Sequence, residues 1–379
     1  MKLSLRWNLR LKSRFQPLAV FRITLLTLLI LPIPFIFTQT TSLIPSPSTL
    51  PLKEKHISSR GLYITAWSAQ SPRKMAYIMD ILKRHHLNTL VVDAKEMISR
   101  PLLELLKEKK LNESYKVEPN PWLKELTDQL HTQEVIVTAR LVVFKDDHLV
   151  LNRPDLAVCL SDGEIYRDRK GGRWANPYSD EVRLYNALIA ECAAASGVDE
   201  VQFDYIRFPA EGDAQNIVLP HANEKTRVEI INQFLAETRK RVEKYNVSLA
   251  VDIFGVTAWQ SQWDVLTLGQ SLEGMAQYLD VISPMFYPSH FHRGYEGYGN
   301  PGSYPYYFVN TGVKKALSML ISAEAKTQLV PWIQGFNLKS PNFGPGYIAE
   351  QIKACQDEGV NRFLIWNAGN NYDFLPADL

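Results

Sequence analysis

Three aspartates close short apolar runs of similar pattern: Asp93 in Val91-Val-Asp-Ala-Lys-Glu96, Asp204 in Val201-Gln-Phe-Asp-Tyr-Ile-Arg207 and Asp252 in Leu249-Ala-Val-Asp-Ile-Phe254. In a β-strand successive side chains point to opposite faces. Val201, Phe203 and Tyr205 therefore share one face, and Gln202, Asp204 and Ile206 the other. Leu249, Val251 and Ile253 oppose Ala250 and Asp252 in the same way. Two carboxylates at matching heights on neighbouring strands suit the cleavage of a glycosidic bond. Proximity drives their pKa values apart, so one holds a proton while the other stays ionised. Asp204 is the leading catalytic candidate, with Asp252 or Asp93 as its partner, and Glu96 adds a further acid. Lys95, Arg140 and Arg207 supply cations that would hold the ionised member charged. The lesser alternative is that the same cations and acids form a structural ion-pair layer.

Trp67, Trp174, Tyr287, Trp332 and Trp366 fall at or just beyond strand ends, where flat rings could stack on sugars or simply pack the rim. Asn176, His290 and Gln334 are polar candidates for substrate contact. His290 and His292 form a His-x-His pair, but no third residue has metal-ligand spacing. No metal and no cofactor is expected, and His290 is assigned to substrate.

These residues need a frame that brings strand ends together. Strands are predicted at Gly61–Ala69, Thr89–Glu96, Glu134–Phe144, Glu200–Pro209, Asn246–Trp259, Leu279–Tyr287, Leu329–Phe336 and Arg362–Asn367. Amphipathic helical stretches intervene, clearest at Arg73–His85, Trp122–His131, Asp180–Ser196, Glu224–Tyr245, Thr311–Ile321 and Tyr347–Glu358. Ser196-Gly-Val-Asp199 and Glu358-Gly-Val-Asn361 are helix exits on glycine that turn straight into strands. Eight strands alternating with helices predict an α/β fold, a (β/α)8 TIM barrel spanning 61–379. A doubly wound sheet would want a glycine-rich phosphate loop after the first strand, and Trp67-Ser-Ala-Gln-Ser-Pro72 is not one. In a barrel the apolar strand faces meet the helices. Asp93, Lys95, Arg140, Asp204, Asp252 and Gln334 then point inward near the C-terminal strand ends, where barrel enzymes work. The Gly- and Tyr-rich stretch from Gly294 to Pro305 reads as a long sixth βα loop on that face, a candidate lid.

Gly197-Val-Asp-Glu-Val-Gln-Phe-Asp-Tyr-Ile-Arg-Phe-Pro209 resembles the fourth-strand signature of a bacterial family, the putative glycosyl hydrolase domain. Arg60-Gly-Leu-Tyr-Ile-Thr65, Val91–Glu96, Trp174-Ala-Asn-Pro177, Asp252-Ile-Phe-Gly255, Pro284-Met-Phe-Tyr-Pro-Ser-His290 and Pro331-Trp-Ile-Gln-Gly-Phe336 resemble further segments of it, in order. The resemblance implies a TIM barrel related to glycoside hydrolases. Many retaining barrel glycosidases carry glutamates after strands four and seven; here those places hold Asp204 and Gln334.

Six Lys or Arg and no acid occupy the first 22 residues, ahead of the apolar run Ile23–Phe37. Residues 1–37 are thus expected to be an export signal, cleaved or retained as a membrane anchor, and the Ser/Thr/Pro-rich residues 38–60 a disordered linker. The barrel would then lie outside the cytoplasm. The formal net charge is +2, with the excess base in that leader rather than in a stripe on the domain, so no nucleic-acid partner is expected. Three cysteines, Cys159, Cys192 and Cys355, make no disulfide framework. The function expected is a glycoside hydrolase acting on an extracytoplasmic polysaccharide. The alternatives are a non-catalytic carbohydrate-binding barrel and a metal-dependent hydrolase or deacetylase.

Overall fold

The computed structural model describes residues 59–379 except 221–224, 260–261 and 378. The signal or anchor at 1–37 and all but the end of the linker lie outside the described residues. No helix among the described residues is long and apolar enough to cross a membrane.

Eight positions of parallel strand close a ring: β1 (Arg60–Ile64), β2 (Thr89–Asp93), β3 (Ile136–Val142), β4 (Glu200–Asp204), β5 (Ser248–Phe254), β6 (Val281–Met285), β7 (Gln328–Leu329 and Trp332–Gln334) and β8 (Phe363–Trp366). Neighbours pair in chain order, and β8 returns to β1 in the register Gly61↔Leu364. The break in β7 falls at Val330-Pro331, where proline has no N–H to give the ladder. Its second piece pairs with β8 on one side and with β6, at Trp332↔Met285, on the other. The protein is a closed eight-stranded (β/α)8 barrel.

Among the connecting helices are α1 (Pro72–Arg84), α2 (Pro121–His131), α3 (Asp180–Ala195), α4 (Arg227–Val242), α5 (Leu272–Ala276), α6 (Pro305–Ser322) and α7 (Pro345–Gln356). Ser71, Asn120 and Ser179 cap the first three by accepting from a backbone N–H of the first turn, and Thr226 with Glu229 makes a full capping box on α4. Proline opens α1, α2, α6 and α7, where its missing N–H costs nothing. That preference carries α6 six residues ahead of the predicted start at Thr311. Among the described residues no helix follows β8. Instead the terminal coil folds back, and Tyr372 donates its hydroxyl to Tyr63 O at 2.6 Å.

Several strands end sooner than the alternation suggests. Thr65 stops β1 by capping the turn Ala66–Ala69, and Ala94 takes helical backbone angles at the end of β2. β5 gives way to a 3-10 turn at Gly255–Trp259. Between β3 and α3 the chain makes an excursion that the periodicity did not reveal, and its Cys159–Leu160 pairs antiparallel with Ile217–Val218 from the connection between β4 and α4. The sixth loop is likewise structured, as 3-10 turns at Tyr295–Gly297 and Pro301–Ser303. Asn300 ties it to the β7 exit by donating to Lys339 O at 3.0 Å. Gly302 permits this approach, since a Cβ there would fall 2.2 Å from Lys339 O.

Most of the core fills the shell between strands and helices. Phe203 of β4 meets Phe234 of α4 at 5.1 Å between ring centroids, and Phe144 adds a third ring at 5.6 Å. Truncating Phe234 to alanine is expected to cost about 3–5 kcal/mol. A smaller cluster inside the ring joins Tyr63, Val91, Ala250, Val281, Trp332 and Leu364 beneath the mouth. Cys192 on α3 and Cys355 on α7 are buried, Cys159 is half-buried, and all three are unpaired.

Candidate active site

Strand register assembles the site. Phe203↔Val251 on β4 and β5 makes Asp204 and Asp252 the next pair in step, and Asp93↔Arg140 joins β2 to β3. Neighbouring strands lie about 4.8 Å apart, so the backbones of Asp204 and Asp252 are adjacent. Both side chains point into the ring, as the alternation required.

Arg140 binds the acids together. Its guanidinium is buried and donates through Nη1 to Asp93 and through Nη2 to Asp204. Its Nε lies 3.8 Å from Asp252 Oδ2, beyond hydrogen-bond length. Burial works against the charge, but Asp93, Asp204 and Asp252 outweigh it and hold the group firmly protonated. Removing the cation would strand buried carboxylates, at a cost of about 3–5 kcal/mol.

The two carboxylates facing the cavity differ in surroundings. Asp204 accepts from Arg140 and, at 2.6 Å, from the backbone N–H of Tyr205. Tyr205 has φ of +52°, left-handed space that a bulky residue rarely enters. Holding it there costs on the order of 1–3 kcal/mol and delivers the N–H to the carboxylate. Asp252 is 2% exposed and accepts one hydrogen bond, from Trp332 Nε1 at 2.6 Å. Burial, and then the charge of Asp204, push its pKa well above the carboxylate range, against the pull of Arg140 and of the indole. Tyr287 stands over the pair, and burial followed by the charges of Asp252 and Asp204 keeps its hydroxyl protonated.

A cavity of about 900 Å³ opens above these groups at the C-terminal strand ends. Arg140, Asp204 and Asp252 reach its floor, and Tyr287, Trp332 and Trp366 line it. Arg207 and His290 line it too. Asp93 is not among the lining residues. It accepts from Tyr63 and Arg140, and Tyr63 stacks on Trp366 at 3.9 Å and 24°. Tyr63 and Tyr205 were not singled out from the sequence. Tyr63 follows from the period of β1, whereas the backbone conformation of Tyr205 leaves no sequence signal.

Other expected contacts lie elsewhere. Lys95 turns away from the mouth: its ammonium donates to Val142 O (2.5 Å), Val143 O (2.9 Å) and Asn186 Oδ1 (2.9 Å) and pairs with Asp146 at 2.8 Å. The helical turn that starts at Ala94 breaks the alternation that would have sent it inward. Glu96 is exposed on that turn. Trp67 is 84% exposed on the helical turn after β1 and does not line the cavity. Trp174 is buried behind the site, where the Arg207 guanidinium covers its face at 4.7 Å. Asn176 braces a turn by accepting from Tyr178 N at 3.0 Å. Gln334 is wholly buried and serves the loops: it accepts from Ser289 N (3.1 Å) and donates to Phe336 O (2.9 Å) and Ser340 Oγ (2.8 Å). Among the described residues no group of three His, Cys, Asp or Glu side chains is placed to hold a metal ion.

Comparison with known families decides the kinship. The family described as "Putative glycosyl hydrolase domain" matches residues 61–372. The chain belongs to this family. Among solved structures, the PgaB (BpsB) glycoside hydrolase domain from Bordetella bronchiseptica superposes with a TM-score of 0.56 at 13% identity, covering 82% of this chain and 94% of that one. A beta-galactosidase from Bacillus circulans sp. alkalophilus gives 0.56 at 12% identity, over 84% of this chain and 51% of its own. A hypothetical protein from Ruminiclostridium thermocellum ATCC 27405 is 30% identical over 51% of this chain and 97% of its own, with a TM-score of 0.41. No curated protein matches. The family member described here is thus a glycosidase-like TIM barrel, and the likeness to the two glycosidase structures is one of fold.

Proposed function

We propose that the protein is a glycoside hydrolase that cleaves a polysaccharide outside the cytoplasm, with Asp252 as general acid and Asp204 as the ionised partner. One observation carries this reading: two in-step carboxylates share the floor of one cavity in opposed environments. Asp252 is buried and raised in pKa, while Asp204 is held by Arg140 and the Tyr205 N–H. Asp252 gives its proton to the glycosidic oxygen as the bond to the anomeric carbon breaks and its electron pair passes to that oxygen. Asp204 supports the positive charge developing at the anomeric carbon, either by attacking it or by taking a proton from the attacking water. Water finally adds to the anomeric carbon and keeps one proton as the new hydroxyl; its other proton returns to Asp252, directly where Asp204 attacked, or by way of Asp204 and solvent where Asp204 took it. The aromatic wall of Tyr287, Trp332 and Trp366 suits a pyranose ring.

The test is hydrolysis of a polysaccharide panel by the wild type and by Asp204→Asn. Turnover should fall by orders of magnitude in the variant while polymer binding persists; wild-type turnover in the variant would defeat the assignment. The extracytoplasmic location rests on the basic leader and apolar run alone. A C-terminal alkaline phosphatase fusion should be active, and an inactive fusion beside an active cytoplasmic reporter would refute it.

A further inference from the structure

The cavity floor is acidic, but part of its wall is basic. Lys170 and His290 line it together, Lys170 from the excursion between β3 and α3 and His290 from the β6 exit. Lys339, from the β7 exit, does not itself line the cavity, but its ammonium donates to the carbonyl of Ser289, the residue before His290. Burial lowers the pKa of His290 first, and the charges of Lys170 and Lys339 lower it further, with no carboxylate opposing them. Among the described residues neither ammonium has an ion-pair partner, and Lys170 makes no side-chain hydrogen bond to any of them. The Lys339 Nζ lies 3.4 Å from Ser289 O.

Lys170 is held in place by a built turn. The buried Asp168 accepts from Lys170 N (2.9 Å), Gly172 N (3.0 Å) and Trp174 Nε1 (3.3 Å), and it pairs with Lys145 at 2.6 Å. One carboxylate thereby fixes the backbone on both sides of Lys170 and leaves its ammonium free at the cavity. Both lysines are solvent-exposed, so water solvates their ammonium groups and leaves them available to a ligand in the cleft. An anionic glycan would be repelled by a floor of aspartates unless cations met its charge elsewhere, and this wall supplies them.

We propose that Lys170, Lys339 and His290 form a subsite for an anionic substituent, so that the substrate is an acidic polysaccharide bearing carboxylate, sulfate or phosphate groups. The ammonium groups bind the anion and the neutral imidazole adds a hydrogen bond. The cleavage of that polymer rests on the proposed function, but its binding does not.

The experiment measures binding to the full chain carrying Asp204→Asn, so that no polymer is cut. The probes are polygalacturonate and hyaluronan for carboxylate, dextran sulfate for sulfate ester and a phosphomannan for phosphate, each beside its carboxyl-reduced, unsulfated or dephosphorylated counterpart. At least one charged polymer should bind more tightly than its neutral form, and the charge class that does so identifies the substituent. Substituting Lys170→Gln and Lys339→Gln together should erase that preference, at roughly two- to fivefold per cation. Added salt should weaken it as well. The proposal is overturned if no charged polymer is preferred, or if the preference survives the double substitution and so reflects diffuse positive charge. Turnover by the wild type is scored separately. Binding preference without cleavage of any polymer would defeat the hydrolase reading and leave the anionic subsite standing.

Discussion

Asp252→Asn should separate catalysis from stability in one substitution. Asp252 is 2% exposed, and its folded-state pKa is raised above the ordinary carboxylate value of about 3.9 by burial and then by Asp204. An acid whose pKa rises on folding favours the folded state while it is protonated. The contribution is fully present below the unfolded pKa, near 4, and is lost as pH climbs through the raised folded value. Between those two pH values the wild type loses about 1.4 kcal/mol for every pH unit, and above them it carries a buried charge. Asparagine has the same shape, still accepts from Trp332 Nε1 and never ionises. The variant should therefore match the wild type in stability at pH 3–4 (roughly the unfolded pKa) and exceed it increasingly toward neutral and alkaline pH. Urea unfolding at a series of pH values reads this directly. Turnover should move the other way, falling about 10²–10⁴-fold with loss of the basic limb of the pH–rate profile. Substrates with good leaving groups, which need little protonation, should suffer least. A stability difference that is constant across pH would show that Asp252 is not the raised carboxyl. Wild-type turnover on substrates with poor leaving groups would show that it is not the acid.

Three further outcomes follow from particular contacts. Gly312→Ala on α6 would ordinarily stabilise a helix, but the new Cβ would lie 2.5 Å from the buried Phe286 ring, so a net loss of about 1–3 kcal/mol is expected in urea unfolding. Gln334→Glu, which restores a glutamate on strand seven, should give no gain in turnover. Its carboxylate would face the carbonyl of Phe336 in a wholly buried site, so thermal melts should show a deficit that widens from acid to neutral pH. Tyr63→Phe keeps the stack on Trp366 but removes the hydrogen bond to Asp93, and should cost about 0.5–1.5 kcal/mol in chemical denaturation.

The alternation in Val201–Arg207 and Leu249–Phe254 was enough to place Asp204 and Asp252 inside a ring, because a strand buried by helices on one face leaves its other face no choice. The same rule reaches Asp93 and Arg140, whose strands run unbroken to those residues. It fails one turn later. Lys95 is two residues beyond Asp93, in phase for a strand, yet the helical backbone at Ala94 turns it toward Asp146. Nothing in Val91–Glu96 marks that switch, because helical angles at a single alanine cost little either way. Trp174 and Asn176 belong to the excursion after β3, where bridges such as Lys145↔Trp174 and Ala157↔Ala175 fix side chains through long-range pairing and no local period exists to read. Gln334 was legible as an inward residue but not in its role, since its partners at Ser289, Phe336 and Ser340 belong to two loops whose approach depends on the closed ring. The opposed environments of Asp204 and Asp252 are hidden for the same reason. The indole on Asp252 comes from β7, two strands round the ring, and the cation on Asp204 from β3. The pattern along the chain names the carboxylates, and only closure of the ring decides which one can keep a proton.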